Sequence, residues 1–277
     1  MDLVAAIVLG IAMGITEFLP VSSLGHSLVL EALFNFPHTV SVGSIQNARN
    51  VIGFFIEGGA FLAVLAFYAR DLLAEAQKLP KDPKTRQLWI NVVIAFVPIG
   101  VLGLVFNKWI QDHLFAPWIV AVALVVVGVI FLLVERRKYE PTTTTLEDVT
   151  PGQALIVGLA QVGALIPGVS RSGSTIIGGL LAGLSREVAT AFTFYLFIPT
   201  LGAAVGYELF SQIKDKTFPT ELLPYLLIAA IVAFVVSLFT IRFLLDFVKK
   251  HDFKPFGVYR IIVGVVIFIL VVIKVIQ

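Results

Sequence analysis

The chain has 277 residues, of which 58% are hydrophobic and 14% charged, and its mean hydropathy is +0.97. A soluble domain of this length carries far more charge, so the composition predicts an integral membrane protein built from helices. The formal net charge of +2 is too small to indicate a nucleic-acid partner. Because the chain has no cysteine, disulfides, thiolate metal sites and a cysteine nucleophile are excluded.

The predicted elements form two similar series. Six apolar stretches are long enough to cross about 30 Å of hydrocarbon as helices that rise about 1.5 Å per residue. Two further apolar regions are each interrupted by a polar run with Pro and Gly, and we expect each to form a re-entrant helical hairpin. In chain order, these are a hairpin at 3–33, spans near 51–69, 88–107 and 116–135, a second hairpin at 152–184, and spans near 187–209, 222–245 and 257–276.

Loop charges predict the orientation. Lys and Arg are concentrated in the segments 70–87, 135–150 and 246–256, and the opposite loops hold few. With six spans, the three basic segments fall on one side of the membrane. The positive-inside rule makes that side cytoplasmic, which places both termini outside.

The layout predicts a single membrane domain, 1–277, with an internal repeat at approximately 1–135 and 150–277. An odd number of crossings inverts the second copy, so that the two hairpins enter from opposite faces and meet at mid-membrane. Residues 14–25 and 158–173 share a pattern of Gly, Pro and Ser if a three-residue insertion is allowed. We therefore expect all-α architecture with six transmembrane helices, two re-entrant hairpins and a site at their junction.

The two polar runs predict a phosphate site. Pro20 is expected to end the first hairpin helix, and Ser22 or Ser23 can cap the next one, whose free N–H groups and positive dipole end suit an anion. The second run repeats this pattern and adds Arg171, whose planar fork of donors matches phosphate oxygens. Two helix starts and one Arg that converge would hold a diphosphate.

Cleavage needs a nucleophile and a group that moves protons. Ser23 could attack with His26 as base, or His26 could be the nucleophile. Glu17 could hold a divalent cation or act as base. Mg²⁺ or Ca²⁺ would fit, because carboxylate, hydroxyl and phosphate all supply oxygen ligands.

Structural roles compete with these chemical ones. Ser, Thr and Gly in membrane helices usually permit close packing and hydrogen bonds between helices. Glu57, in the apolar stretch of the first span, is as compatible with helix packing as with a site. Arg260, near the start of the last span, is interpreted as an interfacial anchor. Glu17, His26 and Arg171 together favour function, because ionisable groups are costly at membrane depth.

The two polar runs resemble the signatures of a known family. They are Gly14-Ile15-Thr16-Glu17-Phe18-Leu19-Pro20-Val21-Ser22-Ser23-Leu24-Gly25-His26 and Pro167-Gly168-Val169-Ser170-Arg171-Ser172-Gly173-Ser174-Thr175. Both are similar to motifs of the bacterial undecaprenyl-diphosphate phosphatase (bacitracin-resistance) family, and the resemblance extends over essentially the whole chain. It implies a phosphatase of the bacterial cytoplasmic membrane that uses a divalent cation. Its site would face the outer side and convert undecaprenyl diphosphate to undecaprenyl phosphate, the lipid carrier of cell-wall synthesis.

The resemblance also implies roles for particular residues. The catalytic set would be Glu17, Ser23, His26 and Arg171, and the substrate-binding set would be Ser22, Gly25, Ser170, Ser172, Gly173 and Thr175. The chain departs from the family's pattern at Met13, where Glu or Gln is usual, and at Leu24, where Ser or Thr is frequent. We expect Glu57 to supply, with Glu17, the carboxylate that Met13 cannot offer to a metal.

A different function class fits the same architecture. Inverted repeats with broken helices also build secondary transporters, so a polyprenyl-phosphate flippase is the alternative. The pair of Ser23 and His26 favours chemistry, since a transporter needs only to bind its cargo. Besides the polyprenyl diphosphate, the expected partners are membrane lipids, and a homodimer is compatible with the sequence.

Overall fold

The computed structural model describes residues 3–34, 45–137, 140–215 and 222–276. Across these ranges the chain is helical and has no β-sheet. Two short 3₁₀ turns, Leu146–Asp148 and Gly163–Leu165, supplement the α-helices. The helices are α1 (Leu3–Thr16), α2 (Ser23–Leu33), α3 (Ile45–Phe67), α4 (Ala69–Lys78), α5 (Pro83–Leu114), α6 (Pro117–Arg136), α7 (Pro151–Val162), α8 (Arg171–Leu181), α9 (Arg186–Asp215), α10 (Leu223–Val248) and α11 (Lys254–Val272).

Five helices of the described chain are long and apolar enough to cross a membrane, namely α5, α6, α9, α10 and α11. A sixth crossing exists if α3 and α4 are counted as one span, since they follow each other with a bend of 61°. The helices therefore form a multi-pass membrane protein. They overlap all six predicted spans, although α4 occupies part of the segment 70–87 that the sequence assigned to a loop.

The helix α5 begins before the predicted span because its start is capped. Asp82 accepts hydrogen bonds from the backbone N–H groups of Lys84 and Thr85, each at 3.2 Å. Pro83 follows as the first helical residue, where its missing N–H costs nothing and its fixed φ favours a helix. This cap lies outside the apolar window, so the hydropathy pattern alone placed the boundary too late.

Both interrupted apolar regions form pairs of short helices. The first pair is α1 and α2, and the second is α7 and α8. The first helix ends at Thr16, earlier than the expected end at Pro20, and a turn covers the next five residues. The residues that precede α2 and α8, Ser22 and Ser170, both have positive φ values, 72° and 76°. The two breaks thus share an unusual backbone geometry.

Packing between the two halves of the chain follows a matched pattern. The helix α1 packs on α10, and its counterpart α7 packs on α5. The pairs α3–α9 and α6–α11 are also in contact. Glycine permits the close approaches: a Cβ on Gly14 would lie 2.9 Å from the Ala233 carbonyl oxygen, and one on Gly158 would lie 2.5 Å from that of Ala95.

Part of the hydrophobic core lies between the first hairpin turn and α9. Phe18, Phe194 and Phe197 are completely buried, and the Phe18 ring meets the Phe194 ring edge-on at 5.6 Å between centroids. Edge-to-face packing of this kind adds about 0.5–1.5 kcal/mol to the burial of the rings. It holds the residue next to Glu17 and so fixes the first turn.

Two neighbouring glycines of α3 give a test of this packing. A Cβ on Gly59 would collide with the Ala230 carbonyl oxygen of α10, whereas one on Gly58 would meet nothing within 4 Å. We expect Gly59→Ala to cost about 1–3 kcal/mol through overpacking. Gly58→Ala should raise the free energy of unfolding by up to about 1 kcal/mol, because Ala favours a helical conformation more than Gly does. Thermal unfolding in detergent would measure both, and equal melting temperatures would contradict the contact between α3 and α10.

Candidate active site

A cavity of about 650 Å³ lies where the two hairpin turns meet. Ser22 and Ser23 line it from the first turn, and Ser170 and Arg171 line it from the second. Glu57 lines it from α3. The structure therefore brings the first residues of α2 and α8 together around one space, at their positively polarised ends.

Charged groups are tied together at this cavity. Arg171 Nη2 donates to Glu17 Oε1 and to Glu57 Oε1, each at 2.8 Å. Ser23 Oγ donates to the other oxygen of Glu17, at 2.8 Å. The Glu17 side chain is only 3% exposed, so its charge depends on these partners rather than on water.

The arrangement connects four separate elements of the chain. Glu17 belongs to the first hairpin turn and Ser23 to α2, whereas Arg171 begins α8 and Glu57 belongs to α3. The hydrogen bonds described for the Arg171 side chain all run through Nη2. A guanidinium has five N–H donors, so the others remain for an anion in the cavity.

Several residues of the predicted substrate-binding set also hold the turns in place. Ser170 lines the cavity, and its hydroxyl also caps α8 by accepting from Gly173 N–H at 3.2 Å. Ser172 and Thr175 are fully buried. Ser172 donates to the Leu19 carbonyl at 3.1 Å and so links the second turn to the first, while the Thr175 hydroxyl donates to the Arg171 carbonyl at 2.9 Å. These two contacts match the packing role that the sequence offered as an alternative.

The two glycines of the predicted binding set lie against side chains. A Cβ on Gly25 would be 2.8 Å from Leu124 Cδ1 in α6, and one on Gly173 would be 3.2 Å from Arg260 Nη1. A larger residue at either position would therefore require the neighbouring side chain to move. Neither glycine is among the residues that line the cavity.

Both ring nitrogens of His26 have hydrogen-bond partners. Its Nδ1 is 2.7 Å from the Ser22 carbonyl oxygen, which only accepts, so Nδ1 carries the proton of that bond. Its Nε2 is 2.7 Å from the hydroxyl of Tyr259. His26 is not one of the cavity-lining residues, and the Ser23 hydroxyl donates to Glu17. The hydrogen bonds pair Ser23 with Glu17 rather than with His26.

The interpretation of Arg260 as an interfacial anchor is wrong. The side chain is completely buried, and Nη1 donates to the Pro20 carbonyl at 3.0 Å. Its Nη2 donates to the carbonyls of Gly168 and Val169, at 2.8 and 3.0 Å. Arg260 thus lies between the two turns. The sequence marked Arg260 as an ionisable residue within a predicted span, but it did not show which carbonyls the side chain would meet.

Three other residues escaped the sequence interpretation. Tyr259 contacts His26, and Glu208 of α9 lines the cavity. Met13, which was noted only as a departure from the family's pattern, also lines it. Glu208 carried a signal, since it is an acid near the end of a predicted span.

The residues present offer limited support for a metal. No cluster of three or more His, Asp or Glu residues suited to a metal occurs in the described part of the chain. Glu17 and Glu57 each give one oxygen to Arg171, and Glu17 gives its second to Ser23. One free carboxylate oxygen on Glu57 fits a hard cation only if substrate oxygens complete its coordination, which is usual for Mg²⁺.

The backbone at the two breaks can be tested by removing a side chain. A non-glycine residue at such positive φ costs about 1–3 kcal/mol. The Ser22 side chain caps nothing, whereas Ser170 caps α8. Ser22→Gly should therefore raise the unfolding free energy by about 1 kcal/mol, because glycine adopts this φ without strain.

Ser170→Gly is the matched control. It relieves the same strain but loses the bond to Gly173 N–H, so we expect it to stabilise less than Ser22→Gly. Thermal unfolding of both variants in the same detergent would show which of them has the higher melting temperature. A lower melting temperature for Ser22→Gly than for the parent would contradict the strained backbone.

Known proteins similar to this chain share one family. The family model described as "Bacitracin resistance protein BacA" matches residues 6–266. A relative named undecaprenyl-diphosphatase from Deinococcus radiodurans is 42% identical over 273 residues, covering 98% of this chain and 96% of its own. Relatives with the same name come from Pseudomonas fluorescens, at 43% identity over 95% of this chain and 91% of theirs, and from Lacticaseibacillus paracasei, at 40% over 96% and 97%.

Proposed function

We propose that this chain, which belongs to the bacitracin resistance protein BacA family, is a membrane phosphatase that hydrolyses undecaprenyl diphosphate to undecaprenyl phosphate and phosphate. The names of its relatives support this activity, and they give the flippase alternative no support. Hydrolysis of this lipid recycles the carrier of cell-wall synthesis, as the sequence resemblance implies.

The observation that carries the proposal is the hydrogen bond from Ser23 to Glu17. A hydroxyl that donates to a buried carboxylate at 2.8 Å is arranged to lose its proton to that carboxylate. Ser23 also lines the cavity in which Arg171 is available for an anion. Nucleophile, base and phosphate ligand are thus within one site.

In the first step, Ser23 Oγ attacks the terminal phosphorus and forms a P–O bond while its proton passes to Glu17. The bond between that phosphorus and the bridging oxygen breaks, and undecaprenyl phosphate leaves with the electron pair. In the second step, Glu17 first releases its proton to solvent and then takes one from the attacking water, whose oxygen forms a bond to the phosphorus. The P–Oγ bond breaks, phosphate departs, and Ser23 Oγ regains its proton from Glu17. Of the two nucleophiles that the sequence allowed, the contacts favour Ser23, and they favour Glu17 over His26 as its base.

The starts of α2 and α8 would bind the diphosphate. Their unpaired N–H groups and positive dipole ends stabilise phosphate oxygens, and Ser22 and Ser170 add hydroxyls that line the cavity. Arg171 would neutralise charge on the transferring phosphoryl group. His26 holds the Ser22 carbonyl, so its role in this proposal is to fix the turn.

The remaining wall of the cavity suits a prenyl chain. Leu9, Met13, Leu28, Ile52 and Phe54 line it from three helices. An apolar wall beside polar turns matches an amphiphile whose headgroup is a diphosphate and whose tail continues into lipid.

The matched breaks and packing pairs support the finer architecture as a proposal. It is a single domain, 1–277, whose halves, approximately 1–135 and 150–277, are an inverted repeat with six spans and two re-entrant hairpins. The connection 115–117 lines the cavity at the end of α5 that is remote from the basic segment 70–87. By the positive-inside rule, the cavity then opens to the outer face of the cytoplasmic membrane.

A divalent cation, Mg²⁺ or Ca²⁺, would be shared between protein and substrate. Glu57, with Glu17 behind it, would supply the protein oxygens. When bound, the cation would offset the negative charge of the diphosphate. In this chain Glu57 would supply the carboxylate ligand that Met13 cannot supply.

The nucleophile and base can be separated from His26 by substitution. Ser23→Ala and Glu17→Gln should each lower kcat by about 10²–10⁴-fold, because they remove the attacking group or its proton acceptor. The fold-reduction in kcat caused by His26→Ala should be at least ten times smaller than the reduction caused by Ser23→Ala. Phosphate release from undecaprenyl diphosphate by purified protein measures all three. Radiolabelled substrate with a rapid acid quench should leave phosphate on Ser23, and label on His26 would refute this mechanism.

Glu57 has its own test. Glu57→Gln should raise the Mg²⁺ concentration needed for half-maximal activity by about tenfold, since one charged oxygen ligand is lost. Glu208→Gln is the control, because Glu208 lines the same cavity without contacting Arg171 through any described bond. An unchanged metal requirement in Glu57→Gln, or an equal shift in Glu208→Gln, would remove Glu57 from the proposed metal site.

A further inference from the structure

Arg260 is a buried arginine with no role in the chemistry proposed above. It lies in α11, and none of its surface is exposed. Its Nη1 and Nη2 donate to three carbonyl oxygens, those of Pro20, Gly168 and Val169. The first belongs to one hairpin turn and the other two belong to the other, so a single guanidinium connects both breaks.

The charge of Arg260 has no neutralising partner. Within the described ranges no carboxylate forms an ion pair with it, and its buried Nε has no hydrogen-bond partner at all. A buried charge without a counter-charge destabilises a protein. A neutral donor could satisfy a carbonyl at lower cost, so the positive charge itself calls for an explanation.

The three carbonyls adjoin the cavity. Gly168 lines it, Val169 precedes the cavity-lining Ser170, and Pro20 stands two residues before Ser22. Arg260 therefore supports from behind the same turns whose front faces the proposed diphosphate.

We propose that Arg260 is a positioning residue that sets the spacing of the two hairpin turns and whose unneutralised charge makes the cavity prefer a diphosphate over a monophosphate. The proposal rests on the proposed function. A diphosphate headgroup carries more negative charge than the product, and attraction to a fixed cation in a low-dielectric interior grows with that charge. Arg260 would thus aid the binding of the substrate and the release of the product without contacting either molecule.

Arg and Lys should differ at this position. The planar guanidinium offers donors in several directions and reaches carbonyls of two turns, whereas an ammonium is a single point of charge. Arg260→Lys keeps the charge but weakens the connection between turns. Arg260→Gln removes the charge. Comparing the two separates spacing from electrostatic preference.

The first measurement is inhibition of the purified enzyme by inorganic diphosphate and by inorganic phosphate, together with kcat. In Arg260→Gln the inhibition constant of phosphate divided by that of diphosphate should fall about tenfold, because the preference for diphosphate is lost. The same variant should also lower kcat at least tenfold. Arg260→Lys should keep the parental ratio while kcat falls. Arg242→Gln, at an exposed arginine of α10, is the control and should change neither. A parental ratio in Arg260→Gln would overturn the electrostatic part, and a parental kcat in both Arg260 variants would overturn the spacing part.

The second measurement needs no activity, so it stands even if the proposed function fails. The chain has no cysteine, and cysteines at the exposed positions 15 and 166, one beside each turn, would carry spin labels. The distance distribution between the labels should broaden in Arg260→Lys and more in Arg260→Gln, but not in Arg242→Gln. If Arg260→Gln does not fold, Arg260→Lys decides alone, and an unchanged distribution there would refute the positioning role.

Discussion

The arrangement of this protein depends on one partly buried arginine that holds two carboxylates. Arg171, at the start of α8, is bonded through one nitrogen to Glu17 and Glu57, which come from distant parts of the chain. Each of these charges is stabilised by a partner from a distant part of the chain, because an ionised group with little access to water is costly without one. The ion pairs thereby place Ser23 and its carboxylate partner beside the space that α2 and α8 enclose.

A broken membrane helix must also satisfy the carbonyls that its own turn leaves free, since no water is available in the hydrocarbon. Here the partners are donors from the other half or from the last helix. Ser172 of the second hairpin bonds Leu19 of the first, and Arg260 bonds carbonyls of both. The two breaks are thus stabilised by hydrogen bonds that link them to each other and to Arg260. This explains how two short, strained segments, with positive φ at Ser22 and Ser170, persist at the centre of the protein.

The sequence predicted the parts of this structure that follow from hydropathy and from helix-breaking residues. The helices long enough to cross a membrane and both interruptions could be located, and the polar residues around Glu17, Ser23 and Arg171 stood out because polar groups are rare in such segments. Partners across the fold could not be predicted. Nothing local indicated that Glu17 would bond Ser23 while His26 bonded Tyr259, or that Arg260 would turn inward, because these contacts depend on how distant helices pack.

The two breaks share a serine with positive φ but differ in the side chains around it. The residue that follows the positive-φ serine is Ser23 in one hairpin and Arg171 in the other. The residue aligned with Glu17 is Gln161, which is fully buried and donates to Thr200 at 3.2 Å. One hairpin therefore carries a hydroxyl with a carboxylate acceptor, and the other carries a cation with a neutral amide. A symmetric site would place two carboxylates or two guanidinium groups side by side. The difference between the two breaks avoids that repulsion, and it places the Ser23 hydroxyl and the Arg171 guanidinium at the same cavity.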